Sequence, residues 1–148
     1  VIVGSVSFFM QLIMRSRVEN QVAAEVDQQG VQVLQLIEQA IRNADSVNSP
    51  LPGSSASSLS LAMSDSAKNP TVVSYASGQM KVKEGAGAET PITSSRVTVS
   101  SPSFAFRNLS RPGTPGIIRI EFILTHINPE GRQEYKYGKT FYDSASLR

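Results

Sequence analysis

The chain has 148 residues, 40% of them hydrophobic and 18% charged, which suits one ordinary domain with its own core and argues against both disorder and a multi-span membrane protein. It contains neither cysteine nor tryptophan, so disulfide frameworks, thiolate catalysis and cysteine-ligated metal sites are excluded. The net charge of +2 is too small to indicate a partner, but it is unevenly spread: residues 1–45 carry three arginines against five carboxylates, and residues 46–148 eleven basic against seven acidic side chains.

The chain opens with Val-Ile-Val-Gly-Ser-Val-Ser-Phe-Phe-Met-Gln-Leu-Ile-Met, uncharged until Arg15 and apolar on nearly every side, unlike a surface helix. At 1.5 Å per residue this run covers about 21 Å, short of the roughly 30 Å of a bilayer core. Beyond Arg15 the pattern becomes amphipathic. Val18, Val22, Val26, Val33, Ile37 and Ile41 recur at helical spacing, Ala40 and Ala44 fill the same side, and Glu38 and Arg42 form a favourable i,i+4 pair. No proline interrupts residues 1–49, so the pattern predicts one helix from Val1 to about Ala44, weakened only at Gly4 and Gly30 and stopped before Pro50-Leu-Pro-Gly53. Such a helix would reach about 66 Å, while a compact head of the remaining residues measures about 33 Å. The amphipathic half can therefore lie on the head, and the apolar half must protrude into lipid or among other subunits.

After the serine-rich Ser54–Ser58 linker the period changes to two. Leu59, Leu61 and Met63 alternate with small or polar residues, and Val72–Tyr75 and Gln79–Lys83 flank a Ser77-Gly78 hairpin turn. Gly85–Ala88 reads as a mobile loop. Val97–Val99 and Ser103–Phe106, separated by Pro102, form either two short strands or one edge strand with a break. Ile118–Leu124 is the strongest strand signal, and Glu134–Tyr137 running on to Thr140–Tyr142 is expected to pair with it across Asn128-Pro-Glu-Gly131. The predicted class is α+β: residues 1–45 form an apolar then amphipathic helix, and residues 46–148 a mostly antiparallel β-rich head packed on the helix's C-terminal half.

This order, with the helix ending in Ile41-Arg-Asn-Ala-Asp45, resembles the type IV pilin-like family, which includes pilins and the pseudopilins of type II secretion and DNA-uptake systems. Local likeness extends to Leu59-Ser-Leu61, Val73-Ser-Tyr75, Gly78-Gln-Met80, Ile92–Val97 before Phe104, and the closing Thr140–Arg148; together these are most similar to minor pilins and pseudopilins. One feature departs from the family: its cleavage site and following Phe-Thr-Leu-x-Glu are not found, and Val1 falls inside the apolar helix. The resemblance therefore implies an N-terminally truncated chain, with prepilin peptidase processing, N-methylation and the assembly glutamate belonging to the missing piece. It also implies a bacterial envelope protein, single-pass in the inner membrane with its head outside the cytoplasm, then part of an extracellular or periplasmic filament. Assembly would exchange lipid for neighbouring pilin-like subunits around Val1, Ile2, Val3, Val6, Phe8, Phe9, Leu12, Ile13 and Met14, with packing and polar pairs as the driving terms. Arg15, Arg17, Glu19, Glu25 and Asp27 follow directly, either as intersubunit pairing groups or as a solvated helix face. The apolar run also fits a buried core helix or a signal-peptide remnant.

No cofactor and no metal is expected. His126 is the only histidine and reads as a surface or turn residue; without a conventional base elsewhere, or a Gly-x-Ser-x-Gly elbow, serine hydrolysis has no support. The carboxylates Glu84, Glu89, Glu121, Glu130 and Glu134 are scattered rather than paired for acid–base work, and Asp65 and Asn69 fall short of a calcium loop. Arg96, Arg107, Arg111, Arg119 and Arg132 with Phe104, Phe106, Tyr135 and Tyr137 could form a basic, aromatic patch for DNA, or be ordinary strand and loop composition. Asn108-Leu-Ser110 matches the glycosylation sequon. The resemblance thus implies a minor filament subunit, with secreted cargo or DNA as partners of its head; the alternative is a membrane-anchored, non-polymerising binding module that binds DNA in competence.

Overall fold

A computed structural model describes the backbone of residues 2–148 and the side chains of residues 4–100 and 106–148. Val1, and the side chains of Ile2 and Val3 on the expected apolar surface and of Phe104 in the expected basic patch, lie outside the described residues. The fold is α+β, a long helix and two antiparallel sheets.

Helix α1 spans Ile2–Arg42. Its end comes where the amphipathic pattern ends: Ala44 donates back to Ile41, and Asp45 passes its N–H to the carbonyl of Ala62, leading the chain into a sheet. Its buried positions are Val22, Val26, Gly30, Val33, Ile37 and Ile41, continued by Ala44 just past its end, a repeat of fours and threes that keeps one stripe on one side of an α-helix. Each large member of that stripe gains about 1.5–3 kcal/mol by leaving water.

Nine strands follow among the described residues. β1 (Ser46–Ser49), β3 (Ser58–Ala62), β4 (Thr71–Ala76), β5 (Gln79–Glu84) and β6 (Thr90–Pro91) form one sheet in the order β1-β3-β4-β5-β6. β2 (Ser55–Ala56), β7 (Val97–Asn108), β8 (Ile117–His126) and β9 (Gly138–Ser146) form the other, in the order β2-β7-β8-β9. The β4–β5 hairpin turns at Ser77 and Gly78, both with positive φ, the geometry that matches the twist of paired strands. The carbonyl of Gly78 accepts the N–H of Val99, which ties this hairpin to β7 of the other sheet.

Several segments differ from the sequence expectation for identifiable reasons. The Ser54–Ser58 linker contains β2, too short to show a period, recruited because Ser55 and Ala56 pair with Arg107 and Phe106. The Val97–Val99 and Ser103–Phe106 segments are one strand whose register shifts between Ser100 and Ala105, the irregularity that accommodates Pro102. The expected Glu134–Tyr137 strand is instead a 3-10 turn, Gln133–Tyr135, and β9 begins only at Gly138 because the strand pairing with β8 starts at Thr125. Gly85–Ala88 is a turn in which Gly85 donates to Pro70 and Gly87 to Glu84.

One core joins α1 to both sheets: Leu59, Leu61, Val73 and Met80 enter it from the five-stranded sheet, and most of the remaining sheet residues come from the four-stranded one. Ile118, Ile120, Phe122 and Leu124 alternate inward along β8, and Phe141 and Ala145 do so on β9. Phe122 and Phe141 stack with ring centroids 5.5 Å apart, and Phe141 rests on the helix at Gly30, where an added Cβ would stand 2.1 Å from the ring. Gly30 thus trades helix propensity for a close helix–sheet approach.

Candidate assembly surface

From Gly4 to Arg17 every helical residue is exposed. Phe8 and Phe9 are 63% and 67% exposed, and Met14 61%; Val6, Leu12 and Ile13 are open as well. These side chains surround the helix rather than forming a stripe, so the head has no face of this segment to cover. A contiguous exposed apolar surface of this kind is a candidate for interaction with protein or lipid. Among the described residues no helix is long and apolar enough to cross a membrane.

The charged residues that follow separate into two groups. Arg15 and Glu19 pair along the helix at 3.4 Å (Nε to Oε1), both about half exposed, and Arg17 is exposed with no ion-pair partner among the described residues. Glu25 and Asp27 turn to the head. Glu25 is forked, with Oε1 3.5 Å from Arg96 Nη1 and Oε2 3.5 Å from His126 Nε2. Asp27 Oδ1 accepts from Lys139 Nζ at 3.0 Å and from the Tyr137 hydroxyl at 3.5 Å. One turn on from Glu25, Gln29 Oε1 accepts the N–H of Ser94 at 3.2 Å. Residues 25–29 are therefore a polar collar by which the head grips the helix just below its free half. The hydrogen bond to Asp27, and then the charge of its carboxylate, raise the Lys139 ammonium above its ordinary range. Lys139 also lies 5.4 Å from the centroid of Phe141, which joins the collar to the core.

His126 departs from expectation. Its side chain is only 11% exposed, stacked on Tyr135 with centroids 6.0 Å apart, and its Nδ1 is buried without a hydrogen-bond partner among the described residues. The strong β8 signal carries it to the strand's last position, where the helix covers it, and it is a seat for Glu25 rather than a surface or turn residue. Among the described residues no three metal-capable side chains gather. The scattered carboxylates each face a cation: Glu84 with Lys68, Glu89 with Lys81, Glu121 with Arg119, and Glu130 and Glu134 with Arg132.

The expected basic patch is divided by the fold. Arg96 and Arg132 sit at the collar end, while Arg107, Arg111 and Arg119 sit at the opposite end of the sheet. Phe106 is a fully buried core residue, and Tyr135 and Tyr137 serve His126 and Asp27. The sequon asparagine is also structural: Asn108 is 2% exposed, donates from Nδ2 to the Pro50 carbonyl and accepts the Ser110 N–H, both at 2.9 Å. An oligosaccharide cannot be attached to it in the folded chain. Sequence reasoning missed Lys139 and Gln29 as collar residues; both contacts depend on tertiary placement, and neither residue type signals it locally.

The architecture is pilin-like. It consists of a long N-terminal helix whose C-terminal half packs on antiparallel sheet and whose N-terminal half stands free. Comparison with protein-family models, curated proteins and solved structures finds no match.

Proposed function

We propose that the chain is a structural subunit of a pilin-like filament, a type IV pilus or a type II secretion pseudopilus, and a minor subunit within it. The observation that carries this reading is the free half of α1, exposed and apolar on all sides from Gly4 to Met14. Its work is assembly rather than catalysis. Before assembly the segment rests in the bacterial inner membrane with the head outside the cytoplasm; afterwards Val6, Phe8, Phe9, Leu12, Ile13 and Met14 pack among the same segments of neighbouring pilin-like subunits. Because lipid already shields these side chains from water, the gain on assembly comes from close packing and from polar pairs such as those open to Arg15, Arg17 and Glu19. The collar keeps the head at a fixed position along the helix while the free half changes surroundings, so head spacing follows helix packing. Peptidase processing and contact with secreted cargo belong to the same proposal.

Dilution of detergent from the purified chain tests it. Elongated assemblies that sediment and are visible by electron microscopy are expected, and Phe9→Asp is expected to abolish them without changing the unfolding of the head. Insertion into vesicles as a monomer, with no assembly at any detergent concentration, would instead support the anchored, non-polymerising binding module.

A further inference from the structure

The outward face of the four-stranded sheet places like charges together. Ser55 stands opposite Arg107, Arg107 opposite Arg119, and Arg119 opposite Ser144, so four strands contribute one residue each to a single row, all exposed. At about 4.8 Å between strands the row is a line of donors about 14 Å long. Like charges directly opposite on neighbouring strands repel. One carboxylate relieves them: Glu121, 4.0 Å from Arg119 Nη2, while Arg107 has no ion-pair partner among the described residues. Tyr142, 70% exposed, stands opposite Glu121 one row away, diagonal to Arg119 and within reach of it. Arg111 occupies the loop that joins β7 to β8 at the same end of the sheet. This end is remote from the projecting helix, since β8 runs from Ile117 here to His126 at the collar.

A repulsive pair retained on an exposed face, flanked by hydroxyls, suits an anionic chain with repeated charges. The bare Tyr142 ring adds a platform on which a planar base can stack; an acidic peptide offers carboxylates but no base. The distance from the apolar helix argues against lipid headgroups. We infer that this face binds single-stranded nucleic acid, with phosphates on Arg107, Arg119 and Arg111, a base on Tyr142, and Glu121 as an internal competitor for Arg119. The inference rests on the head alone, so it stands or falls separately from filament assembly.

The test is fluorescence anisotropy of a labelled oligothymidylate of about 16 nucleotides titrated with the full chain in detergent at low salt. With about 0.7 of a log unit lost per neutralised phosphate for each log unit of salt, three arginines give a slope near −2. Arg107→Gln with Arg119→Gln is expected to weaken binding more than tenfold and bring the slope nearer zero than −1. Tyr142→Ser weakens it about tenfold with the slope unchanged, and Arg96→Gln at the collar leaves it unchanged. Glu121→Gln tightens it severalfold, a gain that misfolding cannot produce. Absence of binding at low salt, an equal loss with Arg96→Gln, or weakening by Glu121→Gln would overturn the inference. Displacement by polyglutamate as readily as by unlabelled oligonucleotide would overturn it too, in favour of an acidic polypeptide.

Discussion

The two halves of α1 share one backbone and one helical geometry but meet opposite surroundings. In the head-bound half, most apolar residues lie in or beside a single buried stripe from Val22 to Ala44, Val31 and Leu36 are exposed outside it, and the remaining faces are mostly glutamine and charge. In the free half they occupy every side, and the charges begin only at Arg15. The free half is the more apolar of the two, uncharged before Arg15, and the angular distribution of its apolar residues differs as well, because a stripe needs one partner surface and a cylinder needs to be surrounded. The two glycines repeat the contrast. Gly30 lies directly under the Phe141 ring, whereas nothing stands within 4 Å of a Cβ added at Gly4.

The sharpest break of this contrast comes from paired truncations. Ile37→Ala, at a fully buried stripe position, is expected to cost the head about 2–5 kcal/mol in urea unfolding, while Ile13→Ala leaves that transition unmoved and weakens only self-association. Next in size are the glycines. Gly30→Ala forces Phe141 off the helix and lowers stability by about 1–3 kcal/mol, in spite of alanine's higher helix propensity; Gly4→Ala stabilises the helix by up to about 1 kcal/mol. Thermal unfolding of both variants, followed by circular dichroism, separates them by sign.

The collar gives smaller effects. Glu25→Gln is expected to cost about 1 kcal/mol or less, and Arg15→Ala nothing measurable in the head. The Lys139 contribution carries a pH signature. Because Asp27 raises the Lys139 ammonium above its ordinary 10.5, the stabilisation is complete below that unfolded-state value and is lost as pH rises through the folded-state one. The stability difference between the wild-type chain and Lys139→Met should therefore be present at neutral pH and vanish in alkaline solution beyond the folded-state value. A difference that persists there would assign Lys139 a packing role on Phe141 instead.

The elements that were legible in the sequence are those whose pattern is internal to the segment. The helix, its buried stripe, the Ser77-Gly78 turn and β8 all follow from spacing alone. What was not legible depends on distant partners. β2 is two residues long and exists only because β7 offers it an edge, and Glu134–Tyr137, strand-like in composition, turns aside to stack on His126 and reach Asp27. The exposed apolar segment, the candidate assembly surface, was the more legible site, since an all-round apolar segment is defined by its own residues. The Arg107–Arg119 row was half legible: the arginines stood out, but Tyr142, Ser55 and Ser144 join them only through a register that passes an irregularity between Ser100 and Ala105.

Cysteine cross-linking of the free helix tests the central claim most directly, because the chain has no cysteine of its own. Val6→Cys and Phe8→Cys on one chain place thiols on nearly opposite sides of the helix, about 160° apart on the wheel, too divergent to bond within a molecule. Oxidation of the double variant, after detergent dilution, is predicted to give a ladder of disulfide-linked multimers, each single variant stopping at dimers. A double variant that stays monomeric under the same oxidation, while inserted in lipid, would contradict assembly through this segment.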